Sequence, residues 1–375
     1  MMEMSLSSNK KNIKTQDNFV YQLLCFLALA ISLMSTINAL GLLNSNVLSA
    51  IQAMVVVTIY SLVIILRKKI RIISLILIIM SYITLVLNNA PYMISVTMLI
   101  MITDIIGYFP NIDYKKILGI FFTSSLLLFC SIVVLYYLFN FNNHDVEMWR
   151  IDKIIHRKSL GFIHPNIASM IWVSIFFAYC GLVGQKYSRF KYLLIAFLSL
   201  VILNQTQSRT SMYVLITISF IYIVLGKNID KAMSKNFSWI IYFIPILLTV
   251  LSIYVLFTPI NNVLNELLSG RIQLYQSFYQ EYGIHLLKTS ELESAMFDNG
   301  YLQALLAKGI LFLIELLIVY LYILKSYSVY TVKQWILFIG YFAMGFTETA
   351  LQHFELILPI LMITAINDET LSNHK

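Results

Sequence analysis

The chain has 375 residues, 59% of them hydrophobic and only 12% charged, with a mean hydropathy of +0.80. No soluble globular domain has that balance, which makes the chain an all-α, polytopic membrane protein. The net charge of +8 lies in short clusters beside apolar runs, leaving no basic stripe for a nucleic acid.

Residues 1–18 form a polar N-terminal tail with Lys10, Lys11 and Lys14. The apolar run after it has no small-residue cleavage pattern, so it reads as a first transmembrane helix and not a signal peptide. Taken in order, spans are expected near 19–40, 47–66, 70–88, 91–109, 117–141, 160–184, 190–204, 209–226, 237–258, 299–324, 334–350 and 354–367, about 12 in all. Residues 19–367 then form one transmembrane domain and 368–375 a short C-terminal tail. Cys25, Cys130 and Cys180 all fall in apolar runs, as small core residues do, and form no disulfide framework or metal cluster.

With both tails cytoplasmic, 18 Lys and Arg fall on the inner ties and 7 on the outer ones, with Lys308 inside a span. Under that topology three of the extracytoplasmic ties matter, residues 142–159, 204–209 and 258–298. The last is a loop far longer than a connector, and such loops are usually functional or disordered. Its acids (Glu266, Glu281, Glu291, Glu293 and Asp298) stand among Arg271, His285, Lys288 and several aromatics, a composition that disordered segments lack.

Four motifs share this outer face. Ser159-Leu-Gly-Phe-Ile-His164-Pro165-Asn166 reads as a helix entry, with Pro in the first turn and His164 and Asn166 where an anion or polar ligand is favoured. The plainer reading is a capping Asn beside an interfacial His. Gln205-Thr-Gln-Ser208-Arg209-Thr-Ser211 surrounds a guanidinium with hydroxyls and amides, a setting suited to phosphate oxygens, although an Arg there can also merely snorkel. Ser269-Gly270-Arg271 offers a second cation ahead of an amphipathic run that fits an interfacial helix. Asp298-Asn299-Gly300-Tyr301-Leu302 reads as a cap and turn at the next span, and its carboxylate, partly desolvated, is a candidate base. Charges within spans are a further clue: Asp104, Lys308, Glu315, Glu348, His353 and Glu355 each need a partner or a wet cavity. Lys308 and Glu315, two turns apart, are expected on one helix face.

In this order the motifs resemble the bacterial O-antigen polymerase and ligase superfamily, nearest to Wzy-type polymerases of capsular or extracellular polysaccharide. The resemblance runs from about Ser159 to Glu355. It implies a helical bundle with a large extracytoplasmic loop in the bacterial cytoplasmic membrane. It also implies metal-independent, cofactor-free glycosyl transfer from undecaprenyl-diphosphate-linked oligosaccharides, with membrane lipids, a flippase and a chain-length regulator as partners. Carried onto this chain, Arg209 and Arg271 hold the diphosphate, with Asn166, Ser208, Asn299 and Tyr301 as further contacts. Asp298 is assigned the base role ahead of His164, which contacts substrate or phosphate. Ligases of the superfamily carry His where Asp298 stands, which favours a polymerase. The alternatives are a ligase or a flippase-type transporter; no internal repeat of the transporter kind is visible.

Overall fold

The computed structural model describes residues 2–372 except 91–92, 151–152, 185–186, 235–236, 238, 260–264, 266–269, 294, 296 and 327–329. Lys186, Lys235, Glu266, Ser269 and Lys375, which entered the sequence reading, lie outside the described residues. The helices are α1 (Met2–Ala39), α2 (Ser45–Arg67), α3 (Ile72–Asn88), α4 (Ile94–Tyr108), α5 (Tyr114–Phe139), α6 (Pro165–Leu182), α7 (Ser188–Thr206), α8 (Arg209–Leu225), α9 (Ile240–Phe257), α10 (Arg271–Tyr282), α11 (Ile310–Lys325), α12 (Val332–Thr347) and α13 (Phe354–Ser372). Their starts are set by local chemistry. Asn44 caps α2 and Asp113 caps α5 through side-chain oxygens, while Thr331 and Gln334 form a capping box on α12.

Among the described residues, six helices are long and apolar enough to cross a bilayer, and three shorter ones are also apolar. Large apolar side chains face outward along much of the bundle, for example Ile72, Ile76, Ile79 and Ile83 on α3 and Phe243, Leu247 and Val250 on α9. In water such a surface would aggregate; against hydrocarbon it is the stable one. At the centre is α13, whose residues from Leu356 to Ile363 are almost fully buried, and which packs on α6, α5 and α4.

Two features depart from the sequence reading. Residues 146–157 form a two-stranded antiparallel hairpin, β1 (Val146–Arg150) and β2 (Lys153–Arg157), with Val146 opposite Arg157. The expected span over 299–324 is also not one helix. A short turn, Gly300–Leu302, widens into a π turn, Gln303–Ala307, and the chain then breaks at Lys308 and Gly309 before α11. Gly309 has φ +92°, and an added Cβ there would sit 2.6 Å from the Leu286 and Leu287 backbone. The freed groups are bonded instead to the preceding loop, Thr289 N–H to Ala307 O and Ile310 N–H to His285 O, both at 3.0 Å. A broken helix does not carry the 3.6-residue period across its break, so Lys308 and Glu315 are not placed on one face by spacing. Lys308 lies instead over the Phe312 ring, with Nζ 5.0 Å from its centroid.

The loops gather into two sets. Ile163 N–H bonds Ala39 O, Lys158 N–H bonds Gln205 O, and Lys288 N–H bonds Asn88 Oδ1. These contacts put the hairpin, the α7–α8 turn and the long loop at one end of the bundle. At the other end, Arg67 pairs with Asp17, Arg71 with Asp104, and Lys333 with Asp230.

Candidate functional site

The hairpin end collects charge from four parts of the chain. Arg157 closes β2 and is buried, at 6% exposure. Its Nε donates to the carbonyl of Thr206 at 3.0 Å, the last residue of α7, where a helix presents unsatisfied carbonyls and partial negative charge. One of its terminal nitrogens donates to Asn166 Oδ1, which also accepts from Ser208 Oγ at 3.3 Å. Asn166 Oδ1 therefore joins Ser208 to Arg157, and not to Arg209. Arg209 opens α8 with an exposed side chain. The guanidinium that meets Asn166 is that of Arg157, and Arg271 acts on it electrostatically.

His164, and not Asn166, caps α6: its Nδ1 accepts the Asn166 N–H at 3.2 Å. That contact assigns the proton to Nε2, which leaves the ring a donor with its acceptor nitrogen occupied. Burial, followed by the Arg157 charge, lowers the His164 pKa, which keeps the imidazole neutral near pH 7.

On the facing side, α10 carries Arg271 at its first position, after Gly270 in the left-handed region at φ +79°. Gln276 holds the helix on the end of α9, donating to Val255 O at 2.9 Å and Thr258 O at 2.8 Å. Arg271 Nε lies 2.8 Å from Asp298 Oδ2. The Asp298 N–H donates to the Tyr275 hydroxyl at 3.1 Å, and the Tyr275 ring stacks on Phe297 with centroids 6.0 Å apart. Burial and then the Asp298 charge push the Tyr275 hydroxyl up to about 12, so it stays protonated. A cleft of about 40 Å³ opens among Arg271, Tyr275, Asp298, Phe346 and Thr347.

Glu348, which the sequence reads as lying within a span, stands past the end of α12 at Thr347 and completes the group from that corner, at 7% exposure. Burial and the neighbouring Asp298 push its carboxyl up to about 7, against the pull of Arg271 and Arg157. Arg157 is depressed by burial, while Glu348 and Asp298 hold it up. Arg157, His164, Arg271, Asp298 and Glu348 therefore act on one another electrostatically although they span nearly 200 residues.

Two expected contacts are bound into the fold. Asn299 Oδ1 accepts from Tyr301 N–H at 3.0 Å and Leu302 N–H at 2.9 Å, and its Nδ2 donates to Ser252 at 3.0 Å. It is the helix cap in place of Asp298, and it also lines the cleft beside Arg271. Tyr301 is 1% exposed and its hydroxyl is directed at Phe342 O, so it is a core residue. Gly300 between them lets this turn lie on α12: an added Cβ would stand 3.1 Å from both Glu348 O and Gly345 O. The other loop candidates stand apart. His285, Glu281 and Glu291 are exposed, and Glu293 pairs with Lys288 at 2.9 Å.

Sequence reasoning missed Arg157 because it is one of four basic residues in the outer tie at 142–159 and counts there only toward the charge of that tie. Its signal was the hairpin, which needs residues 146–157 to be read as alternating strands. Among the described residues, no group of three or more His, Cys, Asp and Glu could hold a metal ion. The chain matches no family model, no curated protein and no solved structure.

Proposed function

We propose that the chain is a membrane glycosyltransferase that polymerises undecaprenyl-diphosphate-linked oligosaccharide repeat units at the outer face of the bacterial cytoplasmic membrane. The observation that carries this reading is the pair Arg157 and Arg271, coupled to each other and to two carboxylates, at one end of an apolar bundle. Two guanidinium groups suit a diphosphate, and an apolar bundle suits its lipid tail. The membrane-crossing count of about twelve and the outward orientation of the hairpin end belong to this proposal.

The chemistry asks little more. A sugar 1-diphosphate carries its own leaving group, and positive charge beside the diphosphate stabilises its departure. The remaining task is to take a proton from the acceptor hydroxyl as the new glycosidic bond forms. Of the two carboxylates, Asp298 is held by Arg271, whereas Glu348 sits near neutrality and is poised to accept a proton. The base role read onto Asp298 from sequence therefore passes to Glu348 in this proposal, and Asp298 orients Arg271. His164 supplies a neutral N–H donor to a phosphate or sugar oxygen.

The test is the lipid-linked glycan pool of a strain lacking the chain. Accumulated single repeat units support a polymerase, intact polymer left on the lipid indicates a ligase, and an unchanged pool excludes both. Orientation is checked by impermeant thiol labelling in intact cells: Asn143→Cys should label and Lys231→Cys should not.

A further inference from the structure

A second cavity lies beside this site and takes no part in the scheme above. It has a volume of about 220 Å³, the liquid volume of about seven waters and the scale of one sugar ring. Its wall draws on elements far apart in sequence: Ser35 and Asn38 near the end of α1, Gln52 on α2, Gln303 in the π turn, and His353 and Glu355 at the α12–α13 corner. Further serines from α2 and α4 line it, and among the described residues no Lys or Arg does.

That lining selects by chemistry. A phosphate or carboxylate would face Glu355, and the imidazole of His353 is already held by that carboxylate. An acyl chain would desolvate hydroxyls and amides without replacing their hydrogen bonds. A neutral polyol satisfies both constraints, because its hydroxyls donate to carboxylate and amide oxygens and accept from amide N–H groups. Phe354 and Met98 add the apolar surface that a sugar ring's C–H face requires. The ionisable pair is fixed, with His353 Nδ1 3.1 Å from Glu355 Oε1. Ser35 Oγ is buried without a hydrogen-bond partner, and a smaller hydroxyl-lined space continues inward from Ser35 and Glu355 toward Ser125 and Ser174.

Position gives the cavity its role. The corner that carries Glu348 also carries Thr349 and His353, and Glu348 is coupled both to the arginine cluster and to His353. Gln303 follows Asp298 by little more than one helical turn. We infer that the cavity is an uncharged-sugar subsite that seats the terminal residue of the acceptor glycan, on the far side of the Glu348 corner from the diphosphate. This rests on the glycosyltransferase reading, and the acceptor's hydroxyl, not its phosphate or lipid, is what the subsite recognises.

The test uses the full chain in lipid nanodiscs, with lipid-linked repeat units from a deletion strain as donor. The acceptor probe is a lipid-free oligosaccharide of one or two repeat units cut from the same polymer. Ser35→Leu fills the cavity, and Gln52→Ala removes an amide from its wall. For both, the KM for the oligosaccharide is expected to rise about tenfold or more while the KM for the donor stays within about twofold. An unchanged acceptor KM in folded Gln52→Ala protein overturns the subsite, as does a rise in donor KM alone. If wild-type protein extends no acceptor, the glycosyltransferase reading fails on its own, and saturation-transfer NMR with the same oligosaccharide then decides the cavity. Signal in wild type that is lost in Ser35→Leu supports a sugar site; no signal in wild type removes it.

Discussion

The two ends of the bundle use ionisable groups in opposite ways. At the end holding Arg71, the Asp104 carboxylate is fully buried, and each oxygen is spoken for. Oδ2 accepts from Tyr60 at 2.9 Å, while Oδ1 accepts from Tyr322 at 2.5 Å and lies 3.4 Å from Arg71. Tyr322 is shared with Ser74 at 2.8 Å, so the network also ties α3 to α11. At the hairpin end, by contrast, Arg157, Arg271, Asp298 and Glu348 answer to one another as a group, and Glu348 has no ion pair among the described residues. A saturated buried network is a staple; an unsaturated one holds charge ready for a ligand. Buried charge alone therefore does not mark function. Charge that the fold leaves short of partners does.

The largest expected effect is at Arg271. Arg271→Ala should cut transfer by about a hundredfold or more, and Arg271→Lys should not restore it, since a lysine cannot offer the planar two-nitrogen fork. Normal polymer from Arg271→Ala would break the contrast at its centre. Next, Glu348→Gln should lose on the order of a hundredfold in kcat with folded protein retained, the usual size of a general-base contribution.

The pH behaviour of Glu348 sharpens this. In the proposed scheme transfer needs the carboxylate, so rate should rise with pH through about 7. Stability should run the other way. The folded pKa lies above the unfolded one, so the stabilisation is full below pH about 4.3 and is lost as pH climbs to about 7, on the order of 3 kcal/mol. Thermal unfolding against pH measures it, and Glu348→Gln should flatten both profiles.

At the stapled end, Asp104→Ala should cost about 3–5 kcal/mol of stability by leaving Arg71 and two hydroxyls without their acceptor. Activity per folded molecule should stay within about twofold, under about 0.5 kcal/mol. A folded but inactive Asp104→Ala protein would show that the staple is part of the machinery. The smallest effect is expected at exposed Arg209, where Arg209→Ala should change transfer by less than about threefold.

Much of the fold was legible because its cause is local. Aliphatic runs long enough to cross hydrocarbon, closed by polar ties, announced each helix near where it lies. His164-Pro165-Asn166, Ser208 and Arg271-to-Asp298 were legible as a set because all are polar breaks on alternate ties, which an up-and-down bundle sends to one end. The break at Lys308-Gly309 was not legible. A glycine in an apolar run is tolerated by a continuous helix, and only the loop at 285–289, bonding into the gap, decides otherwise. Tyr301 looks like a ligand beside Asp298, and only its burial and its hydrogen bond to Phe342 show that the core holds it.

By itself, then, the sequence determined a mainly helical chain with helices apolar enough to cross a membrane, and the stretches that carry its polar chemistry, because transfer free energy and helical period accumulate residue by residue along the chain. The tertiary structure alone decided that Arg157 displaces Arg209 beside Asn166, that Glu348 joins Asp298 and Arg271, and that α1, α2 and the α12–α13 corner enclose a polar cavity. Those pairings depend on how helices more than a hundred residues apart pack against each other, and no local period encodes that.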